Sequence, residues 1–197
     1  MYIPEIFKIK DKKLIEEFMA EYPFAILTSM HDNKIEVTHL PISRFKDGYL
    51  YGHVSMANIH AKIDEQEEVC LIFQGEHAYI SPTFYENPLS VPTWNYSAVH
   101  VYGRLKYIDD LEVSWKLFQE MVEIYEGKEG WSLPNEISFK NLIQHIRFFK
   151  ICEKNIEAKF KLSQNRSKKD IAKVIVSLRE NNESDIANFM EQNLSDK

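Results

Sequence analysis

The chain has 197 residues, 44% of them hydrophobic and 27% charged, with a net charge of −6, which is the balance of a globular protein able to bury a substantial core. No apolar run approaches the roughly 18 residues of a membrane span, and the amino terminus lacks the basic and apolar regions of a signal peptide. The acidic balance argues against wholesale nucleic-acid binding while leaving a local basic patch open.

Met1 to Lys10 has no clear period and is expected to pack at an edge. Asp11 reads as an N-cap, with Leu14, Ile15, Phe18 and Met19 on one face of a helix that ends near Tyr22, before Pro23. Phe24 to Met30 and Ile35 to Ile42 are predicted strands around a turn at residues 31–34. Lys46-Asp47-Gly48 turns the chain into a third strand, Tyr49 to Ser55. Asn58 is a plausible cap for a helix through about Gln66. Glu68 to Gln74 reads as a buried strand, Gly75-Glu76 as a turn, and His77 to Ser81 as a further strand.

Pro82 to Pro92 holds three prolines and no period, so it is predicted as a long loop. A long strand then runs through Ile108. Helices are expected from Asp109-Asp110 to about Gly127 and from Asn135 to Ile146, separated by a break at Trp131 to Pro134. Two strands follow, Arg147 to Cys152 and Ile156 to Leu162, then a helix over Ser167 to Arg179 and a last one bearing Ile186, Phe189, Met190 and Leu194. Six to eight short strands with late helices imply a mainly β protein, an antiparallel barrel with appended helices. Residues 1–162 form the expected barrel domain, with inserted helices about 109–146, and 163–197 a helical extension. Cys70 and Cys152 each lie in a strand-like apolar run. They are expected as buried thiols rather than a disulfide, in a cytoplasmic protein.

Four groups carry possible chemistry. Val91-Pro92-Thr93-Trp94-Asn95-Tyr96 is an irregular arm entering a strand. Its indole, carboxamide and phenol suit either a planar heteroaromatic ligand with polar edges or a Trp/Tyr core corner. Thr38-His39-Leu40-Pro41 closes a strand on which Thr38 and His39 point to opposite faces; His39 serves a pocket or simply packs. Gly52-His53-Val54-Ser55-Met56-Ala57-Asn58 leads into the predicted helix, whose first amides, with His60 and Lys62, form an anion site or an ordinary capped turn. The run from Lys159 to Lys169 is the one dense basic stretch. It offers Lys161, Gln164, Asn165 and Arg166 to a phosphate, or is a solvated surface with Ser167 as a helix cap. Seven histidines are present, but no spacing typical of a metal site.

The segments THLP (38–41), GH with a following AN (52–58), FQGEHAYIS (73–81), VPTWNYSAVHVYG (91–103) and KLSQNR (161–166) together resemble the PaiB family. Its members are called FMN-binding negative transcriptional regulators and are linked to protease synthesis and sporulation in bacilli. The resemblance runs over essentially the whole chain in the same order. It implies a split β-barrel of the flavin-reductase and pyridoxamine-phosphate-oxidase type, a homodimer with FMN at the subunit interface. It places Thr38, His39, Leu40 and Pro41 beside the flavin ring, and Gly52, His53 and Asn58 near the ribityl phosphate, where Lys62 of the same turn would add charge. Trp94, Asn95 and Tyr96 would meet the ring from the arm, and Lys161, Gln164, Asn165 and Arg166 would close the site. Many members carry proline after the asparagine of the second motif, where this chain has Ile59-His60, which loosens the expected helix start.

Three functions follow from the resemblance. The first is an FMN-binding repressor that reaches promoter DNA through the basic run Lys159–Lys173, since no convincing helix-turn-helix is present. The second is an FMN-dependent oxidoreductase with an indirect regulatory effect. The third is an interaction module without flavin.

Overall fold

The computed structural model describes residues 1–194 apart from 88, 128 and 135. In chain order it contains β1 (Lys8–Ile9), α1 (Lys12–Glu21), β2 (Phe24–His31), β3 (Lys34–Pro41), β4 (Ser43–Arg44), β5 (Leu50–Ser55) and β6 (Val69–Ile80). There follow β7 (Thr93–Ile108), α2 (Leu111–Glu126), α3 (Ile137–Leu142), β8 (Ile146–Lys161), α4 (Lys168–Glu180) and α5 (Ser184–Leu194). The strands hydrogen-bond in the order β3-β2-β6-β7-β8-β5-β4, with β1 on β8. This is the mainly antiparallel sheet with appended helices that the strand pattern implies.

The caps are where the sequence puts them. Asp11 Oδ1 accepts from the Lys13 and Leu14 amides, and Asp110 Oδ1 from those of Glu112 and Val113. Ser167 Oγ accepts from the Asp170 amide. Each satisfies amides that the first helical turn leaves without a partner. The β2–β3 hairpin turns on Asp32 and Asn33, both at positive φ (49° and 62°), and pairs Phe24 with Pro41 through His31 with Lys34. A two-residue turn of that hand matches the twist of the strands and fixes the register of the Thr38 motif.

Several expectations change. The two strands expected at 68–74 and 77–81 are one, β6, and those at 147–152 and 156–162 are one, β8. Gly75 does not turn the chain. A Cβ there would lie 2.6 Å from both Phe18 Cε2 and Ser97 Oγ, so the glycine permits close packing inside a strand. The helix expected from Asn58 to Gln66 is a single 3-10 turn, Ile59–Ala61. The helix expected over 135–146 is α3 plus a 3-10 turn; position 135 lies outside the described residues. Cys152 is exposed rather than buried, because β8 alternates and its neighbour Ile151 takes the core face. Cys70 is half-buried, and both thiols are free of disulfides.

The chain divides into two compact units, one of Met1–Met19, Gln74–His100 and Glu157–Lys197, the other of Ala20–Phe73 and Val101–Ile156. In the first, Phe18, Phe160 and Phe189 form a tight aromatic triangle (centroids 5.0, 5.1 and 6.1 Å apart) over which α4 and α5 bury Val174, Leu178, Ile186 and Met190. The second buries Leu27, Leu71, Phe73 and Phe149, with a further cluster of Phe45, Tyr51, Trp115, Met121, Ile143 and Phe148 beneath α2. Burying such side chains is worth about 1.5–3 kcal/mol each.

Candidate functional site

In the second unit, two motifs that are separate in sequence are tied together. Asn58 Nδ2 donates to Thr38 Oγ1 at 3.0 Å, and the Thr38 hydroxyl meets His60 Nδ1 at 2.8 Å. Asn58 Oδ1 accepts from the His60 amide at 2.8 Å, capping the 3-10 turn. The Ser29 hydroxyl meets His60 Nε2 at 3.1 Å, so hydroxyls occupy both ring nitrogens of a fully buried histidine. Burial pushes the His60 pKa down, opposed by Glu36. Ser29 reaches this knot because β2 pairs with β3 one hydrogen-bonded step away.

Behind the same turn, three carbonyls are fastened. Tyr107 OH donates to those of His60 (2.9 Å) and Ile63 (3.1 Å), and Arg147 Nη1 to that of Ala61 at 2.6 Å. Arg147 also forms a two-point pair with Asp109 (2.8 and 3.0 Å) and lies 3.8 Å over the Tyr107 ring. Burial pushes the Tyr107 phenol up to about 12. The Arg147 hydrogen bond holds the Asp109 carboxyl below its ordinary range.

Of the two readings of the Asn58 segment, an anion site or an ordinary capped turn, the hydrogen bonds are those of the capped turn. The amides of Met56, Asn58, His60, Ala61 and Lys62 all bond within the protein, and a three-residue turn has no aligned dipole to speak of. Lys62 is exposed, and among the described residues its ammonium has no ion pair. His39 is exposed, its ring stacked 6.2 Å from Phe24, while Leu40 is buried and Pro41 half-buried. Gly52 serves packing, since a Cβ there would meet Ile42 Cδ1 at 2.6 Å and Phe149 Cζ at 2.9 Å. His53 lies 5.0 Å from the Phe148 ring and 5.9 Å from that of Phe118. Its buried Nδ1 has no hydrogen-bond partner among the described residues, and burial pushes its pKa down.

The first unit brings the other two motifs together. Trp94 is 53% exposed, with His77 and Tyr79 rings 5.8 and 6.2 Å away. Asn95 is fully buried; its Nδ2 donates to Ser163 Oγ (3.0 Å) and Met190 Sδ (3.4 Å) and its Oδ1 accepts from Ser163 Oγ (3.1 Å), so it anchors the arm to the KLSQNR turn and its amide is engaged within the protein. Lys161 Nζ donates to Thr93 Oγ1 and to the Trp94 carbonyl at 2.6 Å. Tyr96 is half-buried with Lys159 Nζ 5.0 Å from its ring centroid. Gln164 folds back on the turn, accepting from the Leu162 amide and donating to the Phe160 carbonyl. Asn165 is exposed at the tip, and the Arg166 guanidinium stacks 4.4 Å over Tyr85. The loop after Pro82 is held by α4: Lys173 Nζ donates to the Tyr85 carbonyl at 2.8 Å and Asp170 Oδ1 accepts from the Glu86 amide at 2.9 Å.

His77 and Tyr79 are functional candidates missing from the residues expected above. The alternation in FQGEHAYIS, with Ala78 and Ile80 buried, carried that signal, since it places both rings on the outward face. An open groove of about 1020 Å³ lies elsewhere in the second unit, lined by Arg44, Tyr51, Lys116 and Glu120 among others, and contains none of the expected residues. In the first unit, the exposed Trp94 face and the cations Lys161 and Arg166, which have no carboxylate partner among the described residues, have the chemistry that a flavin mononucleotide needs: a flat apolar surface and positive charge.

The antiparallel sheet with appended helices is the fold of the flavin-binding split-barrel class. Its fold is shared with the flavocytochrome Anf3 from Azotobacter vinelandii (TM-score 0.67, 18% identity, 84% of this chain and 75% of that one). The FAD and heme binding protein from Mycobacterium smegmatis is similar too (TM-score 0.63, 11% identity, 84% and 78%). The chain belongs to the PaiB family of FMN-binding-domain proteins: residues 1–153 match the family described as "Putative FMN-binding domain". The "Protease synthase and sporulation protein PAI 2" of Bacillus subtilis (strain 168) is 36% identical to it over 100% of this chain and 98% of that protein. FMN is thus the cofactor of the family, as the motifs implied.

Proposed function

We propose that this protein is an FMN-binding homodimer that acts as a negative regulator of transcription. The observation that carries the cofactor reading is the half-exposed Trp94 indole, held in place through its own carbonyl by Lys161 and flanked by two further rings. Trp94, Tyr79 and His77 together form an exposed aromatic patch, which marks an interaction site where a single exposed ring would not, and a planar heteroaromatic ring is the cover that these neighbours suit. FMN, when bound, supplies hydride and electron transfer. This chain's part is to hold it: Trp94 and Tyr96 present ring faces, and Lys161 and Arg166 supply positive charge. Taken by itself, the second unit leaves His39, Pro41 and Lys62 as its accessible motif residues. Thr38, Asn58 and Asn95 act indirectly, by fixing the segments that carry them. Leu40, Gly52, His53 and Gln164 belong to packing around those segments.

The dimer reading rests on the outer face of β2 and β3, where Phe24, Met30, Ile35 and Val37 are each more than half exposed and paired across the hairpin (Met30 with Ile35). A second copy of the chain covers such a face by twofold symmetry. Sedimentation should give twice the chain mass, and Ile35→Glu with Val37→Glu should yield a monomer; a wild-type monomer at micromolar concentration contradicts this reading. The exposed Cys152 thiol suits a reducing, cytoplasmic setting, and no helix among the described residues is long and apolar enough to cross a membrane.

The regulatory role follows the name of the Bacillus subtilis relative. Of the basic run Lys159–Lys173, Lys168 and Lys169 are the exposed lysines without a contact to the arm, at the start of α4. The turn between α4 and α5 is only three residues long, with Asn182 at φ 64°, but α5 carries Asp185 and Glu191 and no Lys or Arg. A helix without cations is a poor reader of duplex DNA, so contact to a promoter would fall to Lys168 and Lys169 of both copies. A salt-sensitive mobility shift lost in Lys168→Glu with Lys169→Glu supports direct binding. An unchanged shift removes α4 from the contact. The lack of a cationic second helix favours one alternative, an FMN-dependent oxidoreductase whose regulatory effect is indirect. Bleaching of bound flavin by NAD(P)H tests it.

A further inference from the structure

We propose that the open groove of the second unit, between the β4–β5 hairpin and the outer side of α2, binds a short apolar peptide by its free amino and carboxyl termini. At about 1020 Å³ the groove stands at the top of the roughly 300–1,000 Å³ range of small-ligand sites, room for several residues of extended chain. Its floor is apolar. Phe45 and Tyr51 are buried with ring centroids 4.7 Å apart, and Leu117 and the half-exposed Ile124 continue that surface along α2.

The charges lining the groove divide into engaged and free ones. Arg44 donates to the Gly48 carbonyl and, at 2.7 Å, to Glu153. Asp47 accepts from Tyr51 OH at 2.6 Å and from the Tyr49 amide at 3.1 Å. Lys116, Glu120 and Glu123 have no ion pair or side-chain hydrogen bond among the described residues, and Lys46 on the hairpin is free as well. Lys116 and Glu120 have the four-residue spacing of a helix pair, but with the cation first, the weaker order, and they form none. Along α2 the two signs separate. Lys116 comes first, Glu120 and Glu123 follow on the same face, and Gly127 closes the helix where its negative end lies. From 116 to 123 the helix rises about 10 Å, which is about the span of three extended residues. The hairpin strengthens the acidic half: burial, then the Asp47 hydrogen bond, with Glu120 adding to them, pushes the Tyr51 phenol above its ordinary range. The one phenol proton is already given to Asp47, so this end of the groove offers acceptors and wants a donor. A peptide ammonium supplies it, the carboxylate at the other end meets Lys116, and apolar side chains cover Phe45, Leu117 and Ile124.

Calorimetric titration of the full-length protein with trileucine tests this. The expected result is saturable binding, at least tenfold weaker for N-acetyl-trileucine, for trileucine amide and for free leucine, which cannot reach both ends. Lys116→Gln should weaken trileucine at least tenfold and make amidation of the peptide indifferent. Glu120→Gln with Glu123→Gln should do the same for acetylation. The proposal is overturned if trileucine does not bind, if the capped peptides bind the unaltered protein as trileucine does, or if FMN displaces the peptide. The capped peptides need no variant, so a substitution that fails to fold does not shield the proposal. Normal FMN uptake beside absent peptide binding overturns it alone and leaves the cofactor reading intact.

Discussion

Asn58 Nδ2 lies 3.0 Å from Thr38 Oγ1, joining the end of one strand to a turn that is 20 residues away in sequence. Both sit in segments that the family resemblance assigns to the flavin, and each segment orders the other through His60. Thr38→Val should therefore cost about 1–3 kcal/mol, because it leaves Asn58 and His60 with buried polar atoms lacking partners. Asn58→Ala should cost at least as much, since the cap is lost too. Urea denaturation of flavin-free protein measures both, and unchanged midpoints would make the knot incidental.

Acid should weaken the fold through its buried histidines. Burial is the leading cause holding the pKa of His53, His60 and His100 below its ordinary value in the folded state, whereas the unfolded chain titrates near about 6.5. Below that value the unfolded state binds more protons, so stability falls with pH. It is fully present above about 6.5 and is lost progressively as pH drops toward the folded pKa values. His53→Phe tests the sign, because its ring already lies between Phe148 and Phe118 and its Nδ1 bonds nothing described. The variant should gain stability at pH 5 relative to wild type by more than at pH 8. Parallel pH profiles would contradict the assignment.

Gly103 and Gly75 differ in what a side chain there would meet. A Cβ at Gly103 would lie 2.5 Å from the Cys152 carbonyl oxygen, and one at Gly75 2.6 Å from the flexible end of Phe18. Gly103→Ala must shift backbone, and overpacking of that kind costs about 1–3 kcal/mol or more. Gly75→Ala should cost less, as a ring can give where a strand cannot. Melting temperatures in the reverse order would show that these contacts relax differently.

Much of this was legible in the sequence. Asp11, Asp110 and Ser167 announced their helices because a cap is local chemistry, and the 31–34 turn set the β2–β3 register. What stayed hidden was non-local. Gly75 reads as a turn until Phe18 is placed against it. Asn58 reads as the cap of a full helix until Arg147 and Tyr107, almost 50 to 90 residues on, claim the carbonyls that a longer helix would use. Asn95 looks like a ligand-facing carboxamide in the motif, yet Ser163 and Met190 consume it. Lys159 looks like a solvated cation in a basic run and is instead buried, against the rings of Tyr2 and Tyr96 from the chain's start and from β7.

The central claim is that the Trp94 face receives a flavin. Titrating flavin-free protein with FMN while following visible absorbance and flavin fluorescence tests it directly, with Trp94→Ala beside the wild type. The account predicts saturable uptake of one FMN per chain, and at least tenfold weaker uptake by Trp94→Ala with little change in its melting temperature, since the indole is half exposed. A wild-type protein that takes up no FMN, or a variant that takes it up undiminished, contradicts the account.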